Sequence, residues 1–86
     1  MKTNIQHRAE IALRSLPPEE KQQVSNSLDF IKKSDLKKLL HSSNLQKLKT
    51  LMEKDLYSFS ANNGLRVILS LHDNECVIED ITTHVF

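Results

Sequence analysis

Glycine is nearly absent from this 86-residue chain: Gly64 stands alone, and the two prolines, Pro17 and Pro18, are adjacent. Strong backbone punctuation therefore falls in very few places, and the sequence contains no internal repeat and no low-complexity tract. One cysteine, Cys76, cannot close an internal disulfide and lacks the paired Cys or His spacing of a zinc site, which points to a reducing compartment. Long apolar runs are missing too. The first twenty residues carry charge at Lys2, Arg8, Glu10, Arg14, Glu19 and Glu20, so neither a signal peptide nor a membrane anchor is expected, and the expected location is the cytoplasm. A chain of this length holds one small domain, residues 1–86, with room for one site.

The charge is unevenly distributed. Residues 1–54 hold eleven Lys or Arg against six Asp or Glu, net +5, whereas residues 55–86 hold one Arg against five acids, net −4; together they give the overall +1. Seven lysines lie between Lys32 and Lys54. Such a segment suits the phosphates of RNA or an acidic protein partner, and it equally suits a solvated lysine face with no ligand.

Apolar residues at Ile5, Ala9, Ala12, Leu13 and Leu16 follow the spacing of a helix lying on a core. The proline pair ends that helix and suits the first turn of the next, where Glu19 and Glu20 complement the positive helix end. The second helix turns Val24, Leu28 and Ile31 inward and frays near Ser34 and Asp35, either of which can cap a short extra turn through Leu36, Leu39 and Leu40. His41 to Asn44 reads as a loop.

After residue 55 the period becomes 2. Tyr57, Phe59 and Ala61 alternate with Ser58, Ser60 and Asn62, and Asn62, Asn63 and Gly64 form a hairpin signal. Leu65, Val67, Leu69 and Leu71 then share one strand face, with Arg66, Ile68 and Ser70 on the other. His72 to Glu75 make a second turn, and a β-branched strand closes the chain. The expectation is an α+β fold in which an N-terminal helical hairpin packs on one face of a small antiparallel sheet, here a three-stranded meander. The uncovered face is where function is sought.

Arg66 is the only Arg or Lys after Lys54, and alternation turns it away from the core. A three-residue turn over Asp73, Asn74 and Glu75 puts Arg66 opposite Thr82 with Asp80 and His84 diagonal; a four-residue loop turns Asp80 and Thr82 inward, and the sequence permits both. An Arg fork recognises phosphate and stabilises charge on phosphorus, and a His transfers protons near neutral pH. A plain Arg66 to Asp80 ion pair beside a solvated His84 is the competing reading. His7, His41 and His72 have no metal-ligand spacing and read as surface residues, Ser58 and Ser60 as the solvent side of a strand, Tyr57 and Phe59 as core aromatics, and Cys76 as a small buried hydrophobe.

Leu45-Gln46-Lys47-Leu48-Lys49, Asp55-Leu56-Tyr57-Ser58-Phe59, Gly64-Leu65-Arg66-Val67-Ile68 and Val77 through His84 together resemble the toxins of the RelE/ParE superfamily. Arg8, Ala9, Glu10, Leu13, Leu16, Pro17, Val24 and Leu28 fit that family's helical hairpin, so the resemblance covers nearly the whole chain. It implies a bacterial type II toxin-antitoxin system, with a first strand that is short or absent. In the RelE branch the implied activity is metal-independent and cofactor-free cleavage of mRNA on the ribosome by attack of a 2′-hydroxyl on its neighbouring phosphate. The resemblance places the catalytic pair on Arg66 and His84 and makes Lys47, Lys49 and Lys54 contacts to RNA or the ribosome; it implies a cognate antitoxin as partner and no membrane. Where many active members carry basic residues after the Leu-Tyr pair, this chain has Ser58 and Ser60, and Phe86 replaces the family's closing tyrosine near the end. A gyrase-inhibiting toxin of the ParE kind and a silent antitoxin-binding member are the alternatives.

Overall fold

In the computed structural model, which describes residues 1–51, 54–62 and 64–83, the chain opens on a strand, β1 (Lys2–Ile5). Helices α1 (His7–Arg14), α2 (Pro18–Lys33) and α3 (Leu36–Leu40) follow, and then strands β2 (Leu45–Leu51), β3 (Lys54–Asn62), β4 (Leu65–His72) and β5 (Glu75–Thr82). All five strands form one sheet in the order β1-β5-β4-β3-β2, so the helices carry the chain from one sheet edge to the other. The α+β class expected from the sequence holds. The sheet is five-stranded and mixed rather than a three-stranded meander, and a strand precedes the helices.

Each difference has a local cause. Ile5, read as the first residue of a helical stripe, ends β1, whose partner β5 lies some seventy residues away and runs parallel to it from Lys2↔Glu75 to Ile5↔Ile78. No hairpin turn announces such a pairing in a sequence. The Met1 ammonium anchors this strand by donating to Lys32 O at 2.9 Å and Ser34 O at 3.2 Å, so a positive charge meets the carbonyl end of α2. Strand β2 hides behind its lysines. It is an edge strand, and exposed charge together with a bulge at Leu48 is how such an edge avoids pairing with other chains.

The helices obey their sequence signals. Pro18 starts α2, Glu19 and Glu20 occupy its first turn, and Lys32 and Lys33 its last. Ser34 leaves the helix in extended conformation, and Asp35 caps α3 by accepting from Lys38 N at 2.7 Å. The core lies between the helices and one sheet face. Ala9, Val24, Leu28, Ile31 and Leu39 meet Phe59, Leu65, Val67, Leu69, Leu71, Cys76, Ile78 and Ile81. Phe30 packs against Phe59 with ring centroids 5.6 Å apart.

The turn between β4 and β5 contains two residues, since His72 pairs with Glu75, and Asp73 takes a left-handed φ of 55° that Asp tolerates. Continued regularly, that register would put Arg66 opposite Ile81. One extra residue in β5, Glu79, shifts it: Leu69 pairs with Ile78, but Ile68 pairs with Asp80 and Arg66 with Thr82. A bulge thus reaches the pairing that the sequence reading associated with a three-residue loop.

Candidate functional site

The sheet face away from the helices carries the polar groups. Register aligns Ser60, Arg66 and Thr82 in one row across β3, β4 and β5, and Gln46, Ser58, Ile68 and Asp80 in the next row. Adjacent rows on one face lie about 6.7 Å apart and adjacent strands about 4.8 Å apart. Arg66 is half-buried, and its Nε is shielded from solvent.

Three polar atoms in this patch have no hydrogen-bond partner among the described residues: Arg66 Nε, Ser58 Oγ and Thr82 Oγ1, each shielded from solvent. An orphaned buried donor costs roughly 1–3 kcal/mol, and native structures keep few of them. Arg66 and Thr82 stand directly opposite each other, whereas Ser58 lies diagonal to Arg66, one row along on β3, with its hydroxyl buried. A guanidinium beside a hydroxyl matches the oxygens of a phosphate or similar anion. The competing ion pair is not made among the described residues, because Asp80 Oδ1 accepts from Ile81 N at 2.8 Å and no carboxylate bridges to Arg66.

Ser58 corrects the sequence reading. It is 1% exposed rather than on a solvent side, because β2 makes β3 an interior strand and sets Gln46 on one flank and Ile68 on the other. Alternation alone could not show this, since it identifies the face of a residue and not what neighbours cover it. His84, the other predicted catalytic residue, lies outside the described residues, as does Phe86.

Lys47 and Lys54 do not converge. Lys47 shares the helix-side parity of Tyr57 and forms a 3.6 Å ion pair with Asp55. Lys49 stands opposite Leu56 in the ladder. Lys54 is exposed at the start of β3 and borders a second feature of the open face, a cavity of about 350 Å³ whose other walls are Arg8, Leu56, Ile68, Glu79 and Asp80. Glu79 is held there by a 2.7 Å hydrogen bond donated by the buried Ser70 hydroxyl.

The remaining candidates behave as surface or core. His7, His41 and His72 are exposed, and His72 Nε2 lies 3.5 Å from Asp73 Oδ2. Cys76 is fully buried, and burial pushes its thiol up to about 11. Among the described residues no group of His, Cys, Asp and Glu is arranged to hold a metal ion, and no helix is long and apolar enough to cross a membrane.

A mixed sheet covered by helices on one face is an architecture with a known counterpart. The fold is that of RelE: the chain superposes on the crystal structure of an archaeal RelE-RelB complex from Pyrococcus horikoshii OT3 with a TM-score of 0.75, covering 95% of this chain and 92% of the other at 21% identity. No family model matches the sequence. No curated protein matches it either.

Proposed function

We propose that this protein is the toxin of a type II toxin-antitoxin pair, that it cleaves mRNA on the ribosome, and that a cognate antitoxin neutralises it. The observation that carries this reading is the pairing of Arg66 with Thr82 on the open face, where Arg66 Nε and Thr82 Oγ1 have no hydrogen-bond partner among the described residues. The RelE fold and the family resemblance across the chain support it as well.

In this reading the 2′-hydroxyl of one nucleotide gives up its proton to solvent water and attacks the adjacent phosphorus, a 2′,3′-cyclic phosphate forms, and the 5′-oxygen of the next nucleotide leaves. Arg66 meets the negative charge that grows on the phosphoryl oxygens, where a preoriented cation counts most. The Thr82 hydroxyl, directly across from Arg66, donates to the same oxygens and fixes the phosphate against the sheet. His84, two residues beyond Thr82, protonates the leaving oxygen. Lys47, Lys49 and Lys54 contribute a salt-dependent attraction to RNA. The step needs neither metal nor organic cofactor, and the work takes place in the cytoplasm.

A second reading, binding without cleavage as in a gyrase-directed toxin or a silent antitoxin-binding member, is favoured by Ser58 and Ser60, which offer hydroxyls where a cationic base would sit. Primer extension on mRNA in programmed ribosomes separates the two. Cuts at A-site codons that fall by about 10²–10³-fold in both Arg66→Ala and His84→Ala establish the enzyme. An intact transcript, from protein that still arrests growth without its antitoxin, overturns cleavage and leaves the binding reading.

A further inference from the structure

The open-face cavity of about 350 Å³ is not used by the phosphate chemistry above. Its floor is apolar, formed by Leu56 and Ile68 from adjacent strands. Arg8 and Lys54 supply positive charge, and Glu79 and Asp80 supply two carboxylates. Consecutive residues of a regular strand point to opposite faces, so two neighbouring acids on one face require an irregularity, and the bulge at Glu79 is that irregularity. The cavity also lies beside the arginine. Ile68 and Asp80 form the row next to Arg66 and Thr82, one two-residue step away along the same two strands.

We infer that this cavity binds the base of a nucleotide flanking the phosphate held at Arg66, and that Glu79 and Asp80 select bases bearing an exocyclic amino group while rejecting uracil. The inference rests on the nucleic-acid reading of the site. An apolar floor of two aliphatic side chains accepts the flat face of any base. Selection then falls to the edge. An ionised carboxylate only accepts hydrogen bonds, so it pairs with the amino groups of cytosine, adenine or guanine and opposes the two carbonyl oxygens of uracil. One of the two carboxylates is already oriented by Ser70, and the other by the backbone at Ile81, which fixes them without help from the ligand. Arg8 and Lys54 offset their repulsion of an incoming phosphate and give the next phosphate along the strand a cationic partner.

The test uses matched nucleotides and needs no cleavage. Cytidine and uridine 5′-monophosphates differ only at the base edge, as do guanosine and inosine 5′-monophosphates, the latter lacking the amino group. Each is titrated into the full chain while the Leu56 and Ile68 methyl signals are followed by NMR. The amino-bearing member of each pair should bind at least about fivefold tighter. In a Glu79→Gln, Asp80→Asn variant, whose unchanged Val67 and Leu69 signals report an intact core, that ratio should fall to one or below. Arg66→Ala should weaken both members of a pair while preserving their ratio. Equal binding of each pair by the wild type, failure of all four to move Leu56 and Ile68, or a ratio that survives in the double variant overturns the inference. Codon cutting with a flat ratio removes the base pocket alone, whereas discrimination without codon cutting removes the enzyme and leaves the pocket.

Discussion

Arg66 faces Thr82 across β4 and β5 because a two-residue turn at Asp73 and Asn74 is followed by one bulged residue, Glu79. Turn and bulge act together. The turn alone would oppose Arg66 with Ile81, an apolar residue that belongs to the core.

Deleting Glu79 should therefore leave that pairing intact, because removing the extra residue restores a regular ladder in which Ile68 still meets Asp80 and Arg66 still meets Thr82. The cost is confined to Ser70, whose buried hydroxyl loses its acceptor, roughly 1–3 kcal/mol. Cross-strand NOEs between Arg66 and Thr82 check the register and urea unfolding checks the cost; Arg66 paired to any other residue would contradict the bulge assignment.

Ser58 and Thr82 should tolerate loss of their hydroxyls, and at Thr82 stability is traded against function. Their hydroxyls make no hydrogen bond among the described residues, so Ser58→Ala and Thr82→Val are expected to leave unfolding free energy unchanged or raise it by up to about 1 kcal/mol. Thr82→Val should at the same time weaken phosphate-dependent activity, read by the primer-extension assay. A loss of 2 kcal/mol or more in either variant would mean that the hydroxyls are structural.

Leu69 is fully buried on the central strand, and Leu69→Ala should destabilise the protein by about 2–5 kcal/mol. Asp35→Ala, which removes the cap of the five-residue α3, should cost about 0.5–2 kcal/mol. Chemical denaturation of the two variants side by side ranks sheet packing against capping.

Cys76 should stay unreactive toward thiol reagents near neutral pH until the protein unfolds, because it is buried and its thiol is raised to about 11. Its folded value exceeds the ordinary 9.0, so the folded state holds the proton more tightly than the unfolded state does. That contribution to stability is complete below about pH 9 and declines as pH rises toward about 11. Cys76→Ser should flatten this alkaline decline in a pH series of unfolding curves, and an unchanged slope would assign the decline to other groups.

Much of the fold was legible because its signals are local. The proline pair, the acids after it, Asp35 before Leu36 and the alternation from Leu65 to Leu71 each act within a few residues, and each produces the expected element. Strands β1 and β2 were not legible. The first pairs with a strand near the other end of the chain, and the second presents lysines and a bulge in place of clean alternation. The candidate site follows the same division, since the outward position of Arg66 comes from alternation, but the burial of Ser58 comes from a neighbouring strand that the sequence did not reveal.

By itself, then, the sequence determined the helices, the apolar face of β4, and which side of the sheet carries Arg66, because hydrophobic period and capping are properties of adjacent residues. Only the tertiary structure decided that Thr82 is the residue opposite Arg66, that Arg66 Nε and Thr82 Oγ1 have no hydrogen-bond partner among the described residues, and that Glu79 and Asp80 share a face. Register and cover depend on pairings between distant segments, and a single bulged residue changes every pairing beyond it.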